Sequence, residues 1–293
     1  MNDATVGFIG LGVMGEPMCR NLRVRGEHRV IAFDLDPAPL ARLAQHGIGS
    51  AADIAGLMRA CDVVFVSLPS GKVLETLARA PQGVLANAHE GQTFVDLGTS
   101  PVSLTRALAA DFEAHGVRYL DAPVARTRQA AEAGTLSVMV GGDAAGFERV
   151  RPLIACFASD ITHCGAVGSG QVTKILNNMV LFETVAALSE ARAIARRAGV
   201  DPALLFDTLS KGSADSFALR NHGLKAIIPG EFPERAFSVE YAKKDLAYAL
   251  ELARDTGVDA QGARRVDALF DAAIGNGWGE AYHPVISRVV DQA

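Results

Sequence analysis

From Thr5 to about Val140, short runs of β-branched and aromatic residues alternate with segments whose apolar positions recur every three to four residues. That alternation forces parallel strands joined by crossover helices. Strands are predicted at Val6–Gly10, Val30–Asp34, Val63–Leu68, Thr93–Asp96, Arg118–Leu120 and Leu136–Val140. Between them Glu16–Val24, Pro37–His46 and Ser103–His115 predict helices, closed by Gly26, Gly47 and Gly116, where a left-handed cap costs least. After Gly170 the character changes. Gln171 to Ala198 reads as one helix, roughly 42 Å long at 1.5 Å per residue, and Gly199 ends it. Everything beyond also reads as helix, with Pro202, Pro229, Pro233 and Pro284 near breaks. The expected architecture is therefore α/β: a doubly wound, mostly parallel sheet domain over residues 1–165 and an all-α domain over 166–293, joined by the long interdomain helix.

The bulk numbers narrow the function classes. With 49% hydrophobic and 21% charged residues, the chain has enough apolar material to offset its conformational entropy. Its net charge of -5 is spread without long blocks of one sign, which argues against nucleic acid as a partner. A small anionic substrate would then need local positive residues. Cys19, Cys61, Cys156 and Cys164 form no CxxC pair, and the seven histidines lack metal-ligand spacing, so no metal and reduced thiols are expected. No run reaches the roughly 18 apolar residues of a membrane span, and no basic segment precedes an apolar core near Met1. These features predict a cytoplasmic protein without membrane contact.

The first chemistry-bearing motif is Gly10-Leu11-Gly12-Val13-Met14-Gly15, a G-x-G-x-x-G running from an apolar strand into a helix. In a Rossmann domain the first glycine permits the tight turn, the second admits the pyrophosphate to the backbone, and the third lets helix pack on strand. The helix N-terminus adds N–H groups and a positive dipole. Asp34 ends the next predicted strand about 20 residues beyond Gly15, where a carboxylate binds ribose hydroxyls and repels a 2′-phosphate. NAD is thus the expected cofactor. Asp34 also reads as an ordinary strand-end turn residue.

Four further segments extend the pattern: Asp121–Val124, Gly134–Gly142, Gly168–Asn178 and Lys243–Leu246. Together with Gly7–Met18, and in this order, they resemble the β-hydroxyacid dehydrogenases, which include 3-hydroxyisobutyrate dehydrogenase, tartronate semialdehyde reductase and sulfolactaldehyde reductase. The resemblance covers nearly the whole chain and implies a 6-phosphogluconate dehydrogenase-like C-terminal domain. It implies that Lys174 is the catalytic lysine and that Asn178, with Asn177 beside it, binds substrate. Spacing agrees, because residues three and four apart share a helix face. A lysine snorkelling over an apolar helix is the plainer alternative. By the same resemblance Thr99 lies near the nicotinamide, Leu68 and Pro69 line the cofactor cleft, and Lys244 reaches the cofactor from the second domain.

Two departures from the family pattern bear on substrate. The loop Gly98-Thr99-Ser100-Pro101 is one residue shorter than usual, and Ala125-Arg126-Thr127 stands where most members have Ser-Gly-Gly. Arg126 offers a planar donor fork suited to an anion with several oxygens, and Thr127 a hydroxyl. This loop resembles the sulfolactaldehyde reductase branch, although Leu181 departs from it. Arg126 and Arg128 could equally be solvated surface residues. The implied reaction is reversible hydride transfer between NAD(H) and a short 3-hydroxyacid or semialdehyde. Lys174 would be the general acid and base, its amine drawn down from an ordinary value near 10.4. Alternatives are sulfolactaldehyde or succinic semialdehyde reduction and, outside enzymes, a non-catalytic NAD sensor. Apolar residues around much of the long helix suggest a homodimer or homotetramer.

Overall fold

The computed structural model describes residues 4–234 and 236–292. The chain divides into two compact units, Met1–Lys174 and Ile175–Ala293. The expected boundary near residue 165 precedes the long helix, whereas this division falls inside it. Bonding explains the difference. The backbone N–H groups of Gly168 and Gln171 donate to Asp121 of the first unit, and a Cβ on Gly170 would collide with the Met139 carbonyl oxygen.

In the first unit the strands are β1 (Thr5–Ile9), β2 (Arg29–Phe33), β3 (Gly49–Ser50), β4 (Val63–Val66), β5 (Thr93–Asp96), β6 (Arg118–Asp121), β7 (Val124–Ala125), β8 (Leu136–Gly141) and β9 (Ala158–Gly165). They form one sheet in the order β3-β2-β1-β4-β5-β6-β8-β7, with β9 on β8. Pairing is parallel from β3 to β6, and β8 runs antiparallel to β6 and β7. Strand order reverses between β1 and β4, and in such sheets ligands bind beyond the carboxyl ends of the strands at that switch point.

All six predicted strands are present, with slightly shifted ends. The other three escaped prediction for physical reasons. β3 and β7 have two residues each, too few to show a period. β9 is an edge strand with mostly exposed or half-exposed positions, so its hydrophobic pattern is weak and its pairing is decided by β8. The central strands read as continuous apolar runs because both faces of the sheet are covered. Phe8, Phe65, Val95 and Leu120 pack on one face, and Ile9, Val64, Val66 and Phe94 on the other.

Gly47 and Gly116 take the left-handed conformation as expected, at φ of 73° and 68°, and Gly199 after the long helix does so at 80°. Gly26 does not. The left-handed residue after that helix is Glu27, at φ 55°, whose N–H donates to the Arg23 carbonyl. Gly26 serves packing instead, since a Cβ there would strike the His28 ring and sit 2.6 Å from Cys156 Sγ.

The long helix is observed as Ser169–Arg197, and the second unit is built from its part after Lys174, followed by helices Pro202–Leu209, Val239–Asp255, Gln261–Gly275 and Ile286–Gln292 and a π-helical segment, Leu219–Ile227. Phe182 lies at the centre of this unit, with ring centroids 5.2 Å from His283, 5.4 Å from Phe270 and 5.7 Å from Phe237. Burial lowers the His283 imidazole well below its ordinary range, and lowers His222, bonded through Nδ1 to the Tyr282 hydroxyl, to about 4. Among the described residues no helix is long and apolar enough to cross a membrane.

Candidate active site

The glycine loop follows β1 and lies at the switch point. Gly10 has φ 88°, and a Cβ on it would run into the Ser67 carbonyl oxygen. A Cβ on Gly15 would run into the Gly10 carbonyl oxygen, so both glycines are required by the protein's own backbone. Gly12 is different. A Cβ there meets nothing within 4 Å, and Gly12 and Val13 are exposed while Met14 is half-buried. The helix that follows, Gly15–Gly26, has no side-chain cap, whereas Asp36, Ser70 and Asp143 cap the helices they precede. An open glycine before an uncapped helix N-terminus fits the pyrophosphate of a dinucleotide.

Asp34 ends up beside this loop. Its Oδ2 accepts the Leu11 N–H at 2.5 Å, and its Oδ1 accepts the Asp36 N–H at 2.8 Å. Asp34 thus shapes the turn, while the helix cap itself is Asp36, which accepts the Ala38 N–H. A carboxylate has about four acceptor positions, so two remain for hydroxyl donors. Leu68, after β4, lies between loops: a Cβ on Gly10 would meet its Cδ2 at 3.2 Å and one on Gly98 its carbonyl oxygen at 3.2 Å. Pro69 beside it is exposed.

Thr99 is buried in the loop after β5, which is held by hydrogen bonds to Asp96 and Gln171. Asp96 and Asp121 stand opposite each other at the ends of β5 and β6. Asp96 accepts the Gly98 N–H at 2.8 Å, the Ser100 hydroxyl at 3.1 Å and the Tyr119 hydroxyl at 3.4 Å. Burial pushes its carboxyl up to about 7, with Asp121 adding in the same direction and the hydrogen-bond donors opposing. Asp121 receives the Gly168 and Gln171 N–H groups at 2.7 and 2.8 Å and so occupies the N-terminus of the long helix. Burial raises its carboxyl too, against these backbone donors. Gln171, fully buried, accepts the Ser100 N–H at 3.1 Å and donates to the Gly98 carbonyl at 2.8 Å. Asp121 lies in the Asp121–Val124 segment and Gln171 in Gly168–Asn178, so their positions were visible, but their roles depend on three-dimensional proximity.

Lys174 follows Gln171 by one helical turn and is only 9% exposed. Arg126 adopts φ 85°, a conformation that glycine takes without cost. Its guanidinium donates to the Thr135 carbonyl at 2.6 Å and Ser159 Oγ at 2.9 Å, and pairs with Asp160 at 2.7 Å. Thr127 caps the short helix Arg128–Ala133 by accepting the Ala130 N–H, which leaves its hydroxyl proton to donate. Arg128 pairs with Glu132 on the surface.

The second unit carries the remaining candidates. Asn178 is buried and donates to Asp245 Oδ2 at 2.8 Å, while its own Oδ1 accepts from Asn177 at 3.1 Å. Asn177 is exposed, so the shared helix face expected for the two asparagines splits at this point. Asp245 also pairs with Lys244 at 3.1 Å, and the Lys244 ammonium lies 3.9 Å from the Tyr241 ring centroid. Asp245 links Asn178 to Lys244, a role the sequence showed only as the middle letter of Lys-Asp-Leu. Among the described residues no cluster of three or more His, Cys, Asp or Glu could hold a metal.

Comparison with known proteins gives two family matches. Residues 5–165 match the NAD binding domain of 6-phosphogluconate dehydrogenase, and residues 168–290 the NAD-binding domain of NADP-dependent 3-hydroxyisobutyrate dehydrogenase. The 2-(hydroxymethyl)glutarate dehydrogenase of Eubacterium barkeri is 33% identical over 98% of this chain and 95% of its own. A 3-hydroxyisobutyrate dehydrogenase of Pseudomonas aeruginosa is 37% identical over 84% of each chain. Among solved structures, Mycobacterium tuberculosis 3-hydroxyisobutyrate dehydrogenase with L-serine superposes with a TM-score of 0.89 at 32% identity, covering 98% of this chain and 99% of that one.

Proposed function

The chain belongs to the β-hydroxyacid dehydrogenase family, and on that premise we propose that it transfers a hydride between NAD(H) and a short 3-hydroxyacid of the 3-hydroxyisobutyrate type, with Lys174 as general acid and base. The observation that carries this reading is a lysine only 9% exposed, one turn into a helix whose N-terminus is bonded to Asp121 at the carboxyl end of β6, in the sheet whose β1 leads into the glycine loop. A nicotinamide supplies the hydride acceptor or donor when bound. The chain's own contribution is proton handling and positioning. Lys174 donates a proton to the alkoxide oxygen in reduction and takes the hydroxyl proton in oxidation.

Gly10, Leu11, Gly12, Val13, Met14 and Gly15 are assigned to the pyrophosphate, Asp34 to the adenosine ribose, and Leu68, Pro69, Thr99 and Lys244 to the rest of the cofactor. A carboxylate at the glycine loop disfavours a 2′-phosphate, which supports NAD over NADP. Asn178 is assigned to substrate, its amide orientation already set by Asp245 and Asn177. Arg126 and Thr127 are assigned to the substrate's anionic group. The pair that Arg126 makes with Asp160 is surface-exposed and so contributes little, and a multi-oxygen anion can replace it.

A second reading, sulfolactaldehyde or succinic semialdehyde reduction, draws its support from an arginine held at a glycine-like backbone conformation in the substrate loop. Two wider assignments accompany the first. Four free cysteines favour the cytoplasm, and the exposed Val180 and Ile194 on the long helix favour a homodimer or homotetramer.

The test is oxidation of NADH and NADPH by wild type and Lys174→Ala with methylmalonate, malonate, tartronate and succinate semialdehydes and sulfolactaldehyde. Turnover should prefer NADH, and Lys174→Ala should lower kcat on the order of 10² to 10⁴-fold with NADH binding kept. A variant that retains kcat removes Lys174 from the reaction. NADH binding without turnover of any substrate makes the chain a sensor.

A further inference from the structure

Gln171 stands outside every assignment made above, yet it is fully buried and makes polar contacts in two directions. Its Nε2 faces the Gly98 carbonyl at 2.8 Å and Asp96 Oδ2 at 3.5 Å, while its Oε1 faces the Ser100 N–H at 3.1 Å. The amide can sit only one way round. Gly98 O accepts and cannot donate, and the Ser100 N–H donates and cannot accept, so a flipped amide would leave both unpaired. Two bonds thus clamp the backbone on either side of Thr99 to one side chain. That side chain lies one turn before Lys174 on the same helix, and the turn itself is pinned by Asp121 to the end of β6.

We propose that Gln171 is a positioning residue for hydride transfer, fixing the Gly98–Ser100 loop relative to Lys174. The proposal rests on the dehydrogenase reading of Lys174 and the glycine loop. Asp96 is the second anchor, because it holds the Gly98 N–H and the Ser100 hydroxyl from the other side. The charged and titratable groups near this cluster include Asp96, Asp121 and Tyr119, all buried, together with Lys174 one turn along the helix and Arg106, whose Nε would lie 3.1 Å from a Cβ on Gly168. Burial raises Asp96, Asp121 and Tyr119 above their ordinary values. A third carboxyl brought among them would hold its proton for the same reason.

That property supplies the test. Gln171→Glu keeps the shape, and when protonated it has one O–H to donate to Gly98 and one oxygen to accept from Ser100. When ionised it can only accept, and Gly98 loses its donor. Gln171→Leu removes both bonds at any pH. Each variant is first checked by its unfolding midpoint and NADH affinity. Hydrogen exchange of the 98–101 backbone is then followed without cofactor, and kcat is measured from about pH 6 to 8 beside wild type and Lys174→Ala.

Gln171→Leu should exchange its Ser100 amide at least tenfold faster and lose kcat on the order of 10²-fold, the size expected for a displaced reacting group, with NADH affinity within threefold. Gln171→Glu should approach wild-type kcat as pH falls and diverge from it as pH rises. If Gln171→Leu misfolds, Gln171→Glu alone decides through that pH-dependent ratio. A folded variant with wild-type kcat at every pH overturns the proposal, as does a loss of kcat that is pH-independent in Gln171→Glu. Wild type turning over while Lys174→Ala fails shows that such a result overturns Gln171 alone. No wild-type turnover with any substrate takes down both readings.

Discussion

Two helix N-termini in the first unit face the same physics and resolve it in opposite ways. The long helix begins at Ser169 with a buried carboxylate, Asp121, accepting backbone N–H groups at its start. The helix from Gly15 begins after an open glycine with no side-chain cap at all. Both carry the partial positive charge of a helix start. One satisfies it within the chain and becomes part of the scaffold; the other has no side-chain cap, as the proposed pyrophosphate site requires. Substitutions at the first should therefore cost stability, and substitutions at the second should cost binding.

The largest expected effect tests the scaffold side. Asp121→Ala strips two buried N–H donors of their acceptor and should lower unfolding free energy by about 3–5 kcal/mol in a denaturant titration. A loss confined to NADH affinity would reverse the roles of the two helix ends. Next comes Gly12→Val, whose side chain enters open space. Its stability should stay within about 0.5 kcal/mol of wild type, while NADH affinity falls on the order of 10²-fold, about 2.7 kcal/mol. Equal loss of both would mean that the loop is structural.

Smaller effects sharpen the comparison. Asp34→Ser removes a charge from the loop and should move the NADH-to-NADPH preference toward NADPH by about tenfold, or 1.4 kcal/mol, read from the two kcat/KM values. Asp96 gives the pH signature. Its native carboxyl holds its proton up to about 7, whereas an unfolded aspartate releases it near 3.9. Between those values the native state binds more protons, so stability falls as pH rises and levels off above about 7. Asp96→Asn should flatten that fall, whose slope from one proton is at most about 1.4 kcal/mol per pH unit. An unchanged slope would place the proton elsewhere.

How much of this was legible beforehand follows from the range of each interaction. Gly10, Gly12 and Gly15 could be assigned because a tight turn and a close backbone approach are local demands. Even so, only the folded chain separates Gly12, which the protein leaves open, from Gly10 and Gly15, which it crowds. Gly26 looked like a cap and proved to be a packing residue against Cys156, a contact set by a residue far along the chain. Arg126 was visible as a departure from Ser-Gly-Gly, but its link to Thr135, Ser159 and Asp160 depends on β9, whose polar sequence concealed it.

The sequence by itself determined six of the nine strands in their order, the long helix and the placement of the glycine loop, because periodicity and turn chemistry act over a few residues. It also determined that Lys174 and Asn178 share a helix. Only the tertiary structure decided that Asp96, Asp121 and Gln171 meet, that Asp245 orients Asn178, and that Glu27 rather than Gly26 ends its helix. The first two outcomes depend on which buried donor finds which acceptor, and hydrogen bonds formed across dozens of residues leave no periodic trace in the chain; the third accompanies the packing of Gly26 against Cys156, far along the chain.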